Sequence, residues 1–276
     1  MPQLLKIFPQ EIDTFIDLFT GGGDVSANVT ANHILANDIN TPVIEILQDF
    51  QKYSLEDMMK YINGRIEEFD LSKTNEEGYL KYRALYNTAG SGYDTPLDLF
   101  TITRFSFNQI IRFNNKMEFN AAFGKNRSSY NDNMRNNTIA FHPRIQDVNF
   151  NSMDFRKFDI SSFGEKDFLY ADPPYLIANA DYNNGKTAKL SWNNFDEEQL
   201  YKYLDKTNKN NLKFALSNFI KYKDKVNNII EDWANDNKYN IYQIHSDYSK
   251  LTTKAERSIE PTIEVVITNY NINEEK

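Results

Sequence analysis

The side chains best placed to do chemistry fall in one stretch, Phe168-Leu169-Tyr170-Ala171-Asp172-Pro173-Pro174-Tyr175-Leu176. Four apolar or small residues read as a buried strand, and the two prolines that follow Asp172 cannot donate to a sheet ladder, so the strand ends there. Its carboxyl end then presents an acid, a proline carbonyl and an aromatic ring. Open α/β sheets bind ligands at the carboxyl ends of their strands. A proline-stiffened turn with no ligand has the same composition, so the rest of the chain must decide.

A second stretch has binding character. Residues 14 to 19 read as another buried strand, followed by Thr20-Gly21-Gly22-Gly23-Asp24 and a short helical stretch. Consecutive glycines let a ligand approach the main chain without a Cβ in the way. Strand, glycine loop and helix together are a common cradle for nucleoside cofactors. No Gly-Lys-Ser/Thr follows, which excludes a P-loop, and the full G-x-G-x-x-G spacing is absent; a plain tight turn is the other reading. The next strand, His33 to Asn37, ends at Asp38. An acid placed about twenty residues after the first strand can accept hydrogen bonds from ribose hydroxyls.

The elements that must position these groups are read from periodicity. Thr41-Pro42 opens a helix whose apolar face is Val43, Ile44, Ile46 and Leu47. From 53 to 104 the pattern is helical, with Leu55, Met58, Met59, Ile62 and Ile66 on one stripe and Tyr79, Tyr82, Leu85 and Tyr86 on another. Both stripes read as core. Residues 107 to 124 change period: Ile111 and Phe113 alternate outward, Asn114-Asn115-Lys116 turns, and Phe119, Ala121 and Phe123 alternate back, which predicts a hairpin. After Pro143 the sheet resumes through Asp154-Phe155 and the strand at 168 to 171. A helix over 196–209, a strand over 213–218, a helix over 223–236 and strands over 239–244 and 262–268 complete the alternation. This is a doubly wound α/β fold carrying an insertion.

Composition narrows the function classes. With no cysteine, disulfides, thiolate nucleophiles and zinc-cysteine sites are excluded, and His33, His142 and His245 lack ligand spacing, so no metal is expected. No apolar run is long enough to span a bilayer, and residues 1 to 20 are acidic where a signal peptide is basic, which predicts a cytoplasmic protein with no membrane partner. The net charge is −8, yet residues 104 to 135 hold six basic side chains against two acidic ones. A basic segment on an acidic body is the pattern of a confined nucleic-acid contact, although a solvated loop shares it. In a two-stranded ribbon, such Arg and Asn side chains can reach base edges in the major groove.

Taken in order, these residues resemble the Dam-type (D12 class) adenine-N6 DNA methyltransferases, most of all the compact phage and restriction-modification members. Asp17-Leu18-Phe19-Thr20-Gly21-Gly22-Gly23 resembles the cofactor loop, Ala36-Asn37-Asp38 the second-strand acid, and Asp172 to Tyr175 the catalytic motif. Arg112-Phe113-Asn114 with Phe119 to Lys125 resembles the target-recognition hairpin, and Glu264 to Asn269 the last strand. The resemblance implies a Rossmann-like class I methyltransferase with a mixed, mostly parallel seven-stranded sheet. Residues 1–52 and 138–276 would form the S-adenosylmethionine-binding catalytic domain and 53–137 the target-recognition domain. It further implies a cofactor held by Asp17, Phe19, Gly21, Gly23, Asp38, Asp154, Phe155 and Asp172, with Asp159 a rival to Asp154. Double-stranded DNA would meet Phe107, Asn108, Ile110, Arg112, Asn114, Lys116, Ala122, Lys125, Asn126 and Arg127. A monomer or weak dimer is expected, with a cognate restriction endonuclease as a partner in the same system.

The implied chemistry needs no covalent intermediate. Asp172 and the Pro173 carbonyl can accept both hydrogens of an adenine amine and turn its lone pair toward a methyl sulfonium, with Pro174 stiffening the motif and Tyr175 stacking on the flipped base. Two departures stand out. The family usually begins with an aromatic-x-Gly-Gly/Asn-Lys segment, whereas Met1-Pro2-Gln3-Leu4-Leu5 resembles only the residues just after that segment, so weaker cofactor binding is expected. In the hairpin, Met117 stands near the usual turn glycine, Ala122 near a usual proline, and Asn126 where a basic pair is common, so the target sequence is open. Two rival readings remain: a methyltransferase-like DNA binder without activity, and a protein N5-glutamine methyltransferase, whose related motif usually begins with asparagine.

Overall fold

The computed structural model describes residues 1–178, 181–182, 190–244 and 262–274, so His245 lies outside the described residues. Among the described residues ten strands are seen: β1 (Thr14–Asp17), β2 (His33–Asn37), β3 (Val148–Asn151), β4 (Phe168–Ala171), β5 (Asp181–Tyr182), β6 (Leu190–Ser191), β7 (Lys213–Tyr222), β8 (Lys225–Val226), β9 (Asn240–Ile244) and β10 (Ile263–Thr268). The main sheet runs β3-β2-β1-β4-β7-β10-β9, with β8 folded back on β7; β5 and β6 pair separately. Strands β3 to β7 along this path are parallel, and β10 is antiparallel to both neighbours. This is the Rossmann-like, mostly parallel seven-strand path expected from the sequence, plus one two-residue strand.

Register explains why the chemistry converges. Asp17 pairs with Ala36 on one side and Tyr170 on the other, so the carboxyl ends of β1, β2 and β4 emerge at one edge of the sheet. The chain leaves β1 toward β2 and β3 in one direction and resumes at β4 in the other, which makes the β1/β4 edge a topological switch point. Both faces of β4 are covered: Phe168 and Tyr170 enter one core with Phe8, Phe15 and Tyr270, while Leu169 and Ala171 enter another with Leu200, Phe214 and Trp233. A strand buried on both faces reads as an unbroken apolar run.

The helices are α1 (Pro2–Leu5), α2 (Thr41–Lys52), α3 (Leu55–Glu68), α4 (Glu76–Tyr86), α5 (Pro96–Thr103), α6 (Asp132–Phe141), α7 (Asn194–Lys209) and α8 (Asn228–Asp236). Pro42 occupies the first turn of α2, and Ile44, Ile46, Leu47 and Phe50 are its buried face. Helices α3, α4 and α5 share one core with α2 and with Ala36, Val148 and Phe150 of the sheet. Buried Asp98 ties them together, accepting from Arg65, Tyr61 and Tyr82 and closing a capping box with Thr95. His142 bonds the Tyr53 carbonyl at 3.0 Å, a structural role.

Four expectations are corrected. Residues 107–124 form no continuous ladder: a one-turn helix (Phe107–Gln109) and two isolated antiparallel bridges, Ser106 to Phe123 and Phe113 to Phe119, make a loose ribbon. Its turn falls at Asn114–Met117 as expected, with Met117 at φ 66 in the left-handed region. Gly124 closes the base, where a Cβ would stand 2.3 Å from the Ser128 hydroxyl. The stretch after the glycine loop is a succession of turns, not a helix. Asp154-Phe155 is not strand: β3 precedes it, and Asp154 caps a single helical turn, Phe155–Lys157. The helix placed at 223–236 starts at Asn228, because β7 runs on to Tyr222 and turns through Lys223 at φ 56 into β8.

Candidate active site

A cavity of 330 Å³ opens at the carboxyl edge of β1, β2 and β4. Asp17, Phe19, Gly21, Asp38, Asp154, Phe155, Asp172 and Pro174 line it, so six of the acids and loop positions singled out in the sequence meet around one cleft with Phe155 and Pro174 beside them. Its size suits a small ligand such as a nucleoside, within the range of about 300 to 1,000 Å³ typical of such sites. Gly23 is not in the lining; at φ +81 it turns the loop away, and a Cβ there would press on Phe141 at 3.3 Å.

The loop is held by its acids. Asp38 accepts from the Gly21 N–H at 2.9 Å and the Asn40 N–H at 2.7 Å, one on each oxygen, which leaves lone pairs on both for a ligand hydroxyl. Burial raises its carboxyl above the usual range, and those two amides pull the other way. Asp17 is buried; its Oδ2 accepts from Ser26 at 2.7 Å and Thr20 at 2.9 Å, whereas Oδ1 has no partner among the described residues. Burial pushes this carboxyl up to about 7 against the pull of Ser26 and Thr20, and the charges of Asp172 and Asp38 add to the rise. An unpaired buried acceptor is costly, which argues that Oδ1 serves a ligand donor.

At the end of β4, Asp172 accepts from the Tyr175 hydroxyl at 2.7 Å, and the Tyr175 ring stands edge-on to Phe219 at 4.5 Å. The surrounding protein pushes the Asp172 carboxyl up to about 6, opposed by the Tyr175 bond and helped by Glu264. The residue is exposed at the cleft mouth, so water there relieves part of that push until a substrate covers it. Pro173 is buried beneath it.

Phe19 and Phe155 were named from the sequence as cofactor-binding residues, whereas Trp192 and Arg156 on the same wall were not anticipated. Trp192 stands against Phe19 at 5.7 Å and Phe155 at 5.9 Å, and Phe19 against Phe155 at 5.4 Å. Arg156 lies over the Phe155 ring at 4.8 Å and bridges Asp154 and Asp196. Aromatic stacking and loop-borne arginines carry no periodic signal, so only the fold reveals them. Asp159 is outside the cleft, its carboxylate bonded to the Ser161 N–H and hydroxyl, which lower it.

A second cavity, 670 Å³, lies across the glycine loop between α2, α5 and α6. Arg104 lines it, stacked on Phe100 at 4.6 Å with its Nε buried and unpartnered among the described residues; burial lowers its guanidinium to about 10, still charged at neutral pH. In the ribbon, Phe107, Asn108, Ile110, Arg112, Lys116, Ala122, Lys125, Asn126 and Arg127 are all exposed. Arg112 is braced on Asn120 through Nε at 2.9 Å, and Arg127 lies over Phe107 at 5.1 Å. Asn114 is engaged in its own turn, accepting from Lys116 and Glu118 amides and donating to the Glu118 carboxylate.

A glycine loop after β1, an acid after β2 and Asp-Pro-Pro-Tyr after β4, all opening on one cleft of a mostly parallel sheet, define the class of Rossmann-like methyltransferases. Residues 1–250 match the family described as D12 class N6 adenine-specific DNA methyltransferase, and the chain belongs to it. It is 40% identical over 270 residues to the modification methylase StsI of Streptococcus sanguinis, covering 97% of this chain and 40% of that one. The type II methyltransferase M.FokI of Planomicrobium okeanokoites gives the same figures. The DNA adenine methylase of Haemophilus influenzae is 27% identical over 181 residues, 63% of this chain and 58% of that protein. The chain thus spans 40% of the length of the first two relatives.

Proposed function

We propose that the chain is a site-specific adenine-N6 methyltransferase that uses S-adenosylmethionine and acts on duplex DNA. The observation that carries this reading is the opening of Asp172 and the glycine loop onto the same cleft. Bound there, S-adenosylmethionine supplies an electrophilic methyl group on a sulfonium. Asp38 holds ribose hydroxyls, Asp17 Oδ1 accepts a ligand donor, and Phe19, Phe155 and Trp192 wall the adenine. Asp172 and the Pro173 carbonyl accept the hydrogens of the target amine, and Tyr175 stacks on the extruded base.

Residues 1–52 and 138–276 form the catalytic part and 53–137 the recognition part in this reading, with Arg104 and the exposed ribbon facing the duplex. In this reading the chain works as a monomer or weak dimer beside a restriction endonuclease in a bacterial or phage-infected cell; the relatives' names, modification methylase and type II methyltransferase, support the restriction-modification setting. The test is direct. Incubation of the chain with labelled S-adenosylmethionine, duplex DNA and a release-factor peptide should place N6-methyladenine in the DNA. Label on the peptide alone would overturn the assignment.

Two further outcomes are expected. A donor on Asp17 Oδ1 favours the charged carboxylate, so binding releases a proton and affinity for S-adenosylhomocysteine rises with pH through about 7. Calorimetry between pH 6 and 8 should show this slope, flattened in Asp17→Asn; an equal slope in both would remove Asp17 from the cofactor site. Arg112→Ala should weaken duplex binding about tenfold or relax the site preference, given the 1 to 3 kcal/mol scale of a bidentate base contact. Unchanged affinity and preference would take the ribbon out of the recognition surface.

A further inference from the structure

The first turn of α7 carries an acid that the chemistry above does not use. Glu197 is fully buried and gathers four donors. Its Oε2 accepts from the Trp192 indole N–H, and its Oε1 accepts from Tyr201 at 2.6 Å, Asn218 at 2.9 Å and Asn227 at 3.2 Å. A buried carboxylate is tolerated only when donors answer it, and here they come from the cleft wall, from α7, from β7 and from the N-cap of α8.

The two oxygens lead to the two halves of the site. On one side the indole held by Oε2 is the cleft wall against Phe19 and Phe155. On the other, Asn218 lies in β7, the neighbour of β4, and its Oδ1 accepts the Phe219 N–H at 2.8 Å. Phe219 backs the Tyr175 ring, and Tyr175 in turn bonds Asp172. We propose that Glu197 is a positioning residue that sets the cofactor wall through Trp192 and the Tyr175–Asp172 platform through Asn218 and Phe219; this rests on the cofactor reading of the cleft. Neither arm touches the reacting atoms, so the effect is one of alignment, in which small displacements cost rate.

Glu197→Gln keeps the shape but replaces an acceptor with a donor that must face Trp192 or the asparagines. Expected are a cooperative thermal melt, a Kd for S-adenosylhomocysteine raised about tenfold, and a kcat lowered about tenfold. In a Trp233→Phe background the remaining indole is Trp192, and its emission should change on titration with S-adenosylhomocysteine in the parent and shift in Glu197→Gln before ligand is added. Tyr201→Phe removes another donor to the same carboxylate without touching either arm, and should leave Kd and kcat within about twofold.

Kd and kcat of Glu197→Gln both near the parent values, or Tyr201→Phe matching Glu197→Gln in both, would overturn the proposal by reducing Glu197 to a structural anchor. Should Glu197→Gln fail to fold, the arms are separable: Trp192→Phe should raise Kd more than it lowers kcat, and Asn218→Ala the reverse. The opposite split, or no effect, overturns the proposal. If the parent chain itself binds no S-adenosylhomocysteine, the cofactor reading falls and this inference with it, an outcome distinct from a normal parent with a silent Glu197→Gln.

Discussion

Asp172→Ala is expected to lower methyl transfer by about a thousandfold or more while S-adenosylhomocysteine affinity stays within a few fold, the scale on which a positioned proton acceptor and its charge act together. The cleft walls are independent of this carboxylate: Asp38 and the glycine loop hold one another through backbone amides, and the aromatic wall stands on Phe19, Phe155 and Trp192. What is lost is the acceptor beside Tyr175. Asn at 172 restores one carbonyl oxygen and adds an amide donor that opposes the adenine amine, so it should recover little.

The pH dependence gives a second readout of the same group. With its carboxyl pushed up to about 6, Asp172 loses its acceptor as pH falls through that value, and kcat should fall with it. Stability runs the other way. A carboxyl raised above its ordinary range favours the folded state most below that ordinary value, and this contribution is lost as pH rises through about 6. Asp172→Ala should therefore melt no lower than the parent at pH 8. A variant that loses activity and melts early would point to misfolding, and retained activity would remove Asp172 from catalysis.

How much of this was legible in the residues depends on where each one sits. Asp17, Asp38 and Asp172 were readable because each ends a strand, and the residues before the acid, Phe15-Ile16 in β1 and Phe168 to Ala171 in β4, are an apolar run, the mark of strands covered on both faces. Strand β3 escaped because Val148-Asn149-Phe150-Asn151 lies at the sheet edge with only two apolar residues among asparagines. The ribbon was seen as a hairpin because its aromatics alternate; its burial comes from Phe119 and Phe113 docking on the helices rather than from a ladder. Arg104 entered only as a unit of charge; it stacks on Phe100 one turn earlier, and only the cavity between α5 and α6 gives that half-buried guanidinium a setting. Trp192, Arg156 and Glu197 lie where loop meets helix, and their partners are distant along the chain: Asp196 is forty residues from Arg156, and Phe19 is farther still from Trp192. No local pattern marks such residues.

The same logic identifies where the insertion is most vulnerable. Asp98 is fully buried, and its carboxylate answers Arg65 Nε at 2.9 Å, Tyr61 at 2.8 Å, Tyr82 at 2.7 Å and the Thr95 hydroxyl at 2.7 Å. It thus joins α3, α4 and α5 and caps α5 at once. Asp98→Ala removes the buried charge set against Arg65 inside that junction and takes the carboxylate acceptor from the hydroxyls of Tyr82, Tyr61 and Thr95. Breaking a buried pair by deleting one partner costs about 3 to 5 kcal/mol, and loss of a capping side chain about 0.5 to 2 more. The two overlap, so we expect about 4 kcal/mol overall, a large share of the 5 to 15 typical of a domain. Asp98→Asn should cost nearly as much, because its amide must face the Arg65 donor or a tyrosine hydroxyl. The core these helices share with Ala36, Val148 and Phe150 carries the damage into the sheet. Urea unfolding of the two variants should therefore show a lowered midpoint in a single transition. A separate early transition confined to the insertion would mean that the shared core is too weak to couple them. A loss below about 1 kcal/mol, the value of a surface ion pair, would mean that Asp98 is not the junction its four partners make it.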